Sequence, residues 1–284
     1  MTADPPFRSV AIVGLGLIGG SLALATRERW PSIRVIGVDT DAVIAHARGA
    51  GAIDRSAPKL SELTEGELIV LAAPVRQNLS LLADVPRTQP VLVTDVGSTK
   101  QAMVDAGRHL AAPARFVAGH PLGGGERGGF AYARADLFVG RPWILTPDPT
   151  ADTDDLDRLR RFVAGLGAIP TTMTALAHDE LMAFLSHLPQ IVASALMAVV
   201  GDAAGPEALR LAGRGLVDST RLASSPADIW RDVCQTNAEP IVAALDQLIS
   251  RLGDVRARVA AGESVDPLFE ASARWRAELM KGRE

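Results

Sequence analysis

The stretch Val10-Ala11-Ile12-Val13-Gly14-Leu15-Gly16-Leu17-Ile18-Gly19 decides the fold. Four consecutive apolar residues, Val10 to Val13, read as a buried strand, and Ile18 to Arg29 reads as a helix that stops before Pro31. Between them stands G-x-G-x-x-G, a motif that is informative when it joins a strand to a helix, as it does here. Gly14 permits a tight turn, Gly16 lets the backbone approach a pyrophosphate, and Gly19 lets helix and strand pack closely. Leu17 and Ile18 open the helix, whose free N–H groups and dipole favour an anion. A second apolar run, Ile33 to Val38, ends at Asp39, twenty positions beyond Gly19. A carboxylate there accepts the ribose 2′-hydroxyl and repels a 2′-phosphate. No arginine follows at Thr40 or Asp41, so NAD is expected over NADP.

Further along, apolar runs alternate with helical patterns, the sign of parallel βαβ units. Leu68 to Leu71 and Val91 to Thr94 read as strands covered on both faces. Small residues after the first of these, Ala73 and Pro74, leave room beside a nicotinamide ring. Phe116 to Ala118 and Trp143 to Leu145 are shorter candidates, Asp154 to Leu166 is an amphipathic helix, and Ala168 to Met173 is a last strand. From Ala175 onward only helical periodicity remains. Ala177 to Val200 is too apolar for a surface helix and is expected in a core or an interface. Helices near Pro206 to Arg214, Pro226 to Thr236, Pro240 to Ala260 and Pro267 to Lys281 begin at proline, a favoured first-turn residue. The expected plan is an α/β protein: a doubly wound parallel sheet over residues 1–174, then an all-helical domain over 175–284. The boundary, near 173–177, carries no flexible linker.

Composition narrows the function classes. Hydrophobic residues make up 48% and charged residues 22%, a globular profile. A formal charge of -4 lacks the excess of basic residues that a general nucleic-acid binder needs. Cys234 is the sole cysteine, so no internal disulfide forms and a reducing, cytoplasmic setting is expected. The N-terminal residues show no basic segment followed by an apolar one, so no leader is expected. The most apolar segment, Leu188 to Val200, contains Pro189 and Gln190 and is expected to be too short to span a bilayer.

Three segments carry candidate chemistry: Asp95-Val96-Gly97-Ser98-Thr99-Lys100, Gly119-His120-Pro121-Leu122-Gly123-Gly124-Gly125-Glu126-Arg127-Gly128-Gly129, and Ser186-His187-Leu188-Pro189-Gln190. The first lies at a strand end, where ligands of doubly wound sheets bind. The third interrupts the long apolar helix. Lysine is scarce, at Lys59, Lys100 and Lys281 only, which singles out Lys100. Together with Asp218-Ser219-Thr220-Arg221-Leu222-Ala223-Ser224-Ser225-Pro226, these segments resemble the prephenate/arogenate dehydrogenase family over essentially the whole chain. The resemblance implies a Rossmann domain with a helical dimerisation domain, hence a homodimer, and an NAD-dependent oxidative decarboxylation. It implies His120 as the catalytic histidine, suited to the task by a pKa near working pH. It further implies Ser98 as the serine that binds the reacting hydroxyl, Arg221 as the carboxylate-binding fork, and Glu126 and His187 at the site mouth. Ser98 also reads as a simple helix N-cap. His46, His109 and His178 have no motif context and read as surface residues.

One departure bears on the substrate. Many relatives that use prephenate carry S-H-L-P-H where this chain has S-H-L-P-Q, ending at Gln190. A neutral amide offers no positive charge to a pyruvyl carboxylate but can accept a hydrogen bond from an ammonium. The expected substrate is prephenate, with arogenate or an amino-substituted prephenate of secondary metabolism as alternatives. β-Hydroxyacid dehydrogenases share the domain plan but place a lysine on the interdomain helix, and Ala177 to Val200 contains none. A non-catalytic NAD-sensing protein would need the glycine motif without His120 or Arg221.

Overall fold

The computed structural model describes residues 4–125 and 127–281. Six parallel strands form the main sheet: β1 (Ser9–Val13), β2 (Arg34–Val38), β3 (Arg55–Ser56), β4 (Leu68–Leu71), β5 (Val91–Asp95) and β6 (Ala114–Phe116). Their order is β3-β2-β1-β4-β5-β6. Alternate residues of the central strands feed opposite cores, as the two-residue period of a strand requires. Val10, Ile12, Val35, Leu68 and Val70 join one cluster, and Ala11, Val13, Ile36, Ile69 and Leu71 join the other. Helices α1 (Leu17–Arg29), α2 (Asp41–Gly49), α3 (Val75–Leu81) and α4 (Gln101–Gly107) follow the strands, and α5 (Thr153–Gly165) stacks Phe162 on Trp30 of the first core. The strand order reverses between β1 and β4, so the crevice of the sheet opens where Gly14 meets Ala72.

The shorter strands form a second sheet of three. β7 (Ala118–Pro121) pairs antiparallel with β8 (Pro142–Thr146), which pairs parallel with β9 (Ile169–Thr172). The strand expected over Phe116 to Ala118 is thus two, because the chain leaves the main sheet at Val117 to enter the second.

Thr174 caps the first helix beyond the sheets, its hydroxyl accepting from the Ala177 N–H. That helix, α6 (Ala175–Met182), passes through a π-turn at Ala183–His187 into α7 (Leu188–Ala208). Pro189 accounts for the widened turn, since it lacks an N–H and its ring crowds the carbonyl four residues back. The helical run is therefore longer than the segment singled out in the sequence: Ala175–Leu211 is long and apolar enough to cross a membrane by length and composition alone. Its polar residues are instead satisfied within the protein, His178, Asp179, His187 and Gln190 all being buried and hydrogen-bonded. The rest of α7 is mostly uncovered within the chain, with Leu196 and Val199 exposed, so of the two expected settings, core or interface, it does not occupy the core. A kink at Gly205, whose φ is +71°, precedes Pro206. Then come α8 (Arg214–Ser219), a 3-10 turn at Arg221–Ser224, and α9 (Ala227–Thr236).

Compactness does not divide the chain where strands give way to helices. Residues 1–238 form one unit, in which α6 to α9 join the two sheets, and 239–284 form another. The second unit consists of α10 (Ala238–Ala261) and α11 (Asp266–Met280) and leaves Ile249, Leu252, Val259, Phe269 and Trp275 exposed.

Candidate active site

At the sheet crevice, Gly14 adopts φ +91°, and a Cβ there would meet the Ala72 backbone at 2.9 Å. A Cβ on Gly19 would lie 1.9 Å from the Gly14 carbonyl oxygen, so helix and turn can approach this closely only without one. Gly16 differs: a Cβ there would meet nothing within 4 Å. It is the N-cap of α1, which has neither a side-chain cap nor an acidic residue in its first turn. Open space over uncapped N–H groups at a positive helix end is what a pyrophosphate fits. Asp39 accepts from the Leu15 N–H at 2.6 Å and the Thr40 N–H at 2.7 Å. Each oxygen so engaged retains acceptor capacity for a ribose hydroxyl. Ala73 and Pro74 lead from β4 into α3, and the Ala73 N–H is held by Asn78.

The loop after β5 carries the second part. Asp95 and Lys100 are fully buried and paired, Nζ to Oδ2 2.5 Å. The Asp95 carboxylate also accepts from the Gly97 and Gly119 N–H groups, while Lys100 donates to the Gly119 carbonyl at 2.8 Å. This pair thereby fixes the strand residue next to His120. Burial lowers the Lys100 pKa against the opposing pull of Asp95 and Asp179. Lys100 is thus a buried structural partner of Asp95 and Gly119.

Ser98 stands half-buried in the same loop. It is not the N-cap of α4: that position falls to Lys100, which makes no side-chain cap. The cap comes from across the site, where Asp179 accepts from the Lys100 N–H and the Gln101 N–H, each at 2.8 Å. Thr99 binds the Thr236 hydroxyl at 2.7 Å and so ties the loop to α9.

His120, on β7, points Nδ1 at His178 Nε2, 2.8 Å away, and His178 Nδ1 lies 2.8 Å from Asp179 Oδ1. His178 is 0% exposed and Asp179 1%. The expectation of a surface histidine at 178 is therefore wrong: the residue lies in the first turn of α6 and is buried against His120 and Asp179. Burial, then the positive potential of His178, Lys100 and His187, holds the His120 imidazole well below the ordinary histidine range. A neutral, base-competent ring results. His187 is 1% exposed, not at a site mouth. Its Nδ1 lies 3.1 Å from the Asn237 amide nitrogen, which also donates to the Asp179 carbonyl, and its ring meets Trp230 edge-on. Burial first, with His178 assisting and Asp179 opposing, pushes the His187 pKa down to about 4.

A cavity of about 750 Å³ opens beyond the loop that follows His120, lined by Gly124, Ser186, Gln190, Arg221, Ser225 and Trp230. Arg221 and Gln190 thus line the same cavity. Gln190 is engaged: it donates to the Leu222 carbonyl at 2.6 Å and accepts from the Ser225 hydroxyl at 3.0 Å, bracing the turn that starts at Arg221. Glu126 lies outside the described residues. Sequence reasoning missed His178, Asp179 and Asn237. The available signal was the adjacent His-Asp pair in a segment otherwise apolar enough to be buried, where any polar residue needs a partner.

The fold and site define a dinucleotide-dependent dehydrogenase: a glycine-rich cradle, a neutral half-buried histidine, and a cavity lined in part by an arginine. Residues 22–170 match the profile of the prephenate dehydrogenase nucleotide-binding domain and 174–272 that of its dimerization domain. The chain belongs to the prephenate dehydrogenase family. It is 35% identical to prephenate dehydrogenase of Bacillus subtilis, over 88% of this chain and 70% of that one. A solved prephenate dehydrogenase from A. aeolicus, in complex with hydroxyphenyl propionate and NAD+, superposes with a TM-score of 0.89 at 29% identity, covering 96% of this chain and 98% of the other. Arogenate dehydrogenase of Synechocystis gives 0.79 at 27% identity, covering 96% and 99%.

Proposed function

We propose that this protein is an NAD-dependent dehydrogenase that converts prephenate to 4-hydroxyphenylpyruvate, a step of tyrosine biosynthesis, as a cytoplasmic homodimer. The observation that carries the reading is the His120 ring, hydrogen-bonded to His178 and held neutral by burial, on the strand whose following loop reaches the Arg221 cavity. A bound nicotinamide supplies the hydride acceptor. His120 takes the hydroxyl proton as the ring carbon loses its hydride and its C–O bond gains carbonyl character. The ring carboxylate leaves as carbon dioxide, its electrons aromatise the ring, and the proton returns to the phenol oxygen. Ser98 orients the hydroxyl, and the planar Arg221 fork binds a substrate carboxylate. Asp39 selects NAD.

Arogenate is the second reading, and Gln190 favours it, since the cavity wall there is a neutral amide rather than a cation. Domain limits at 1–174 and 175–284 follow the change from mixed to purely helical structure. The dimer reading is supported by the apolar side chains that α7, α10 and α11 leave exposed, too many for an uncovered surface. NADH formation with prephenate and with arogenate, each with NAD and NADP, tests the proposal. The expected order is prephenate with NAD first; absence of turnover with every pair refutes the activity, and equal efficiency with NADP refutes the role of Asp39.

A further inference from the structure

We propose that His178 and Asp179 are positioning residues that hold the proton of His120 on Nδ1, so that Nε2 is the atom that accepts the substrate proton. The inference rests on the proposed role of His120 and deepens it.

The argument starts at the anchored end. Asp179 receives the Lys100 and Gln101 N–H groups on separate oxygens at the start of α4, with the Lys100 ammonium nearby. Both oxygens of this carboxylate already accept, so it serves its neighbours as an acceptor. The 2.8 Å contact to His178 Nδ1 therefore needs a proton on that nitrogen. Burial favours a neutral His178, with Asp179 opposing, so its Nε2 is a bare acceptor. The 2.8 Å contact from His178 Nε2 to His120 Nδ1 then needs the proton on His120 Nδ1. In a neutral imidazole the remaining nitrogen, Nε2, carries the lone pair.

This arrangement reverses the preference of a free histidine side chain, which favours a proton on Nε2. It also answers the charge created when His120 takes a proton. The titratable groups facing that ring are His178, His187 and Lys100, and behind it Asp95 and Asp179 act on His178 with the opposite sign to Lys100. Only Asp179 is linked to His120 through a continuous hydrogen-bond chain among the described residues. The new imidazolium can thus draw on a fixed carboxylate two bonds away, the logic by which a buried acid orients and stabilises a catalytic histidine.

The test measures the tautomer directly and the rate independently. ¹⁵N NMR of the full-length protein labelled at histidine, with His120→Asn used to assign the signal among five histidines, reports which His120 nitrogen is protonated. Expected is a protonated Nδ1 and a bare Nε2 in the wild type, with the proton moving to Nε2 in His178→Phe. In the same variant kcat for the better of prephenate and arogenate should fall roughly 10²- to 10⁴-fold, the scale of a wrong tautomer at a catalytic histidine, with KM little changed. His178→Gln should recover part of the loss, because an amide oxygen near the former Nε2 can accept from Nδ1–H. A wild-type His120 protonated on Nε2 overturns the proposal. So does a folded His178→Phe variant with unaltered tautomer and kcat. Should wild type turn over neither substrate, the proposed function fails, while the NMR measurement still decides the tautomer. Should His178→Phe not fold, the wild-type spectrum and His178→Gln decide.

Discussion

Replacing Lys100 with methionine removes the cation from a fully buried pair while nearly keeping its volume. Asp95 would retain its Gly97 and Gly119 N–H bonds but lose its ammonium partner, and the Gly119 carbonyl would lose a donor. Stranding one member of a buried pair costs about 3–5 kcal/mol. At roughly 2–4 °C per kcal/mol for a protein of this size class, Tm should fall by about 6–20 °C. The double variant Asp95→Asn/Lys100→Met removes the stranded charge as well. Its asparagine oxygen can accept only one side's backbone N–H, so an unsatisfied donor remains, worth about 1–3 kcal/mol. The double variant should therefore unfold at a higher temperature than Lys100→Met alone. Calorimetry at matched protein concentration, required because dimer dissociation shifts Tm, gives both values. A Lys100→Met protein within about 1 kcal/mol of wild type, well under the expected loss, refutes the reasoning. A double variant less stable than the single one refutes it equally.

Four further outcomes are expected. His120→Asn should lower kcat by about 10²–10⁴-fold, or roughly 3–5 kcal/mol of barrier, with substrate affinity changed far less. Because burial, followed by the influence of His178, Lys100 and His187, holds the His120 pKa well below the ordinary histidine value, the base is already neutral at pH 6.5. The wild-type rate should rise with pH through a limb well below the ordinary histidine value and then level, and His120→Asn should lack that limb; a limb at or above pH 6.5 contradicts the electrostatics. Arg221→Ala should raise KM strongly with a smaller fall in kcat, and unchanged KM would remove Arg221 from carboxylate binding. Gln190→His breaks the brace to Leu222 and Ser225 as well as changing the cavity wall. The prephenate-to-arogenate specificity ratio should rise by about tenfold to a hundredfold, a charged hydrogen bond being worth roughly 1.5–3 kcal/mol; equal losses on both substrates would instead identify a bracing role alone. Sedimentation should give a dimer at micromolar concentration, and an active monomer would contradict the reading of the exposed apolar helices.

The nucleotide half was legible in the sequence because its signals are local. A strand, a glycine turn and a helix N-terminus within twenty residues carry their own meaning, and Asp39 falls at a set distance along the same βα unit. The change to helices after Met173 was equally plain, since periodicity is read within one segment. His120 and Arg221 were found through motifs, whose residues lie near one another along the chain. What remained hidden was relational. Ser98 read as a substrate-binding serine or as a cap, and the cap reading falls because Asp179, some eighty residues away, does the capping; His178 read as a surface residue because nothing beside it in sequence explains it. Composition left α7 in a core or an interface, and only what packs on a helix separates the two: within the chain α7 is largely uncovered. Hydrogen-bond partners, burial and tautomers depend on distances between segments remote in sequence, and only the folded chain sets those distances.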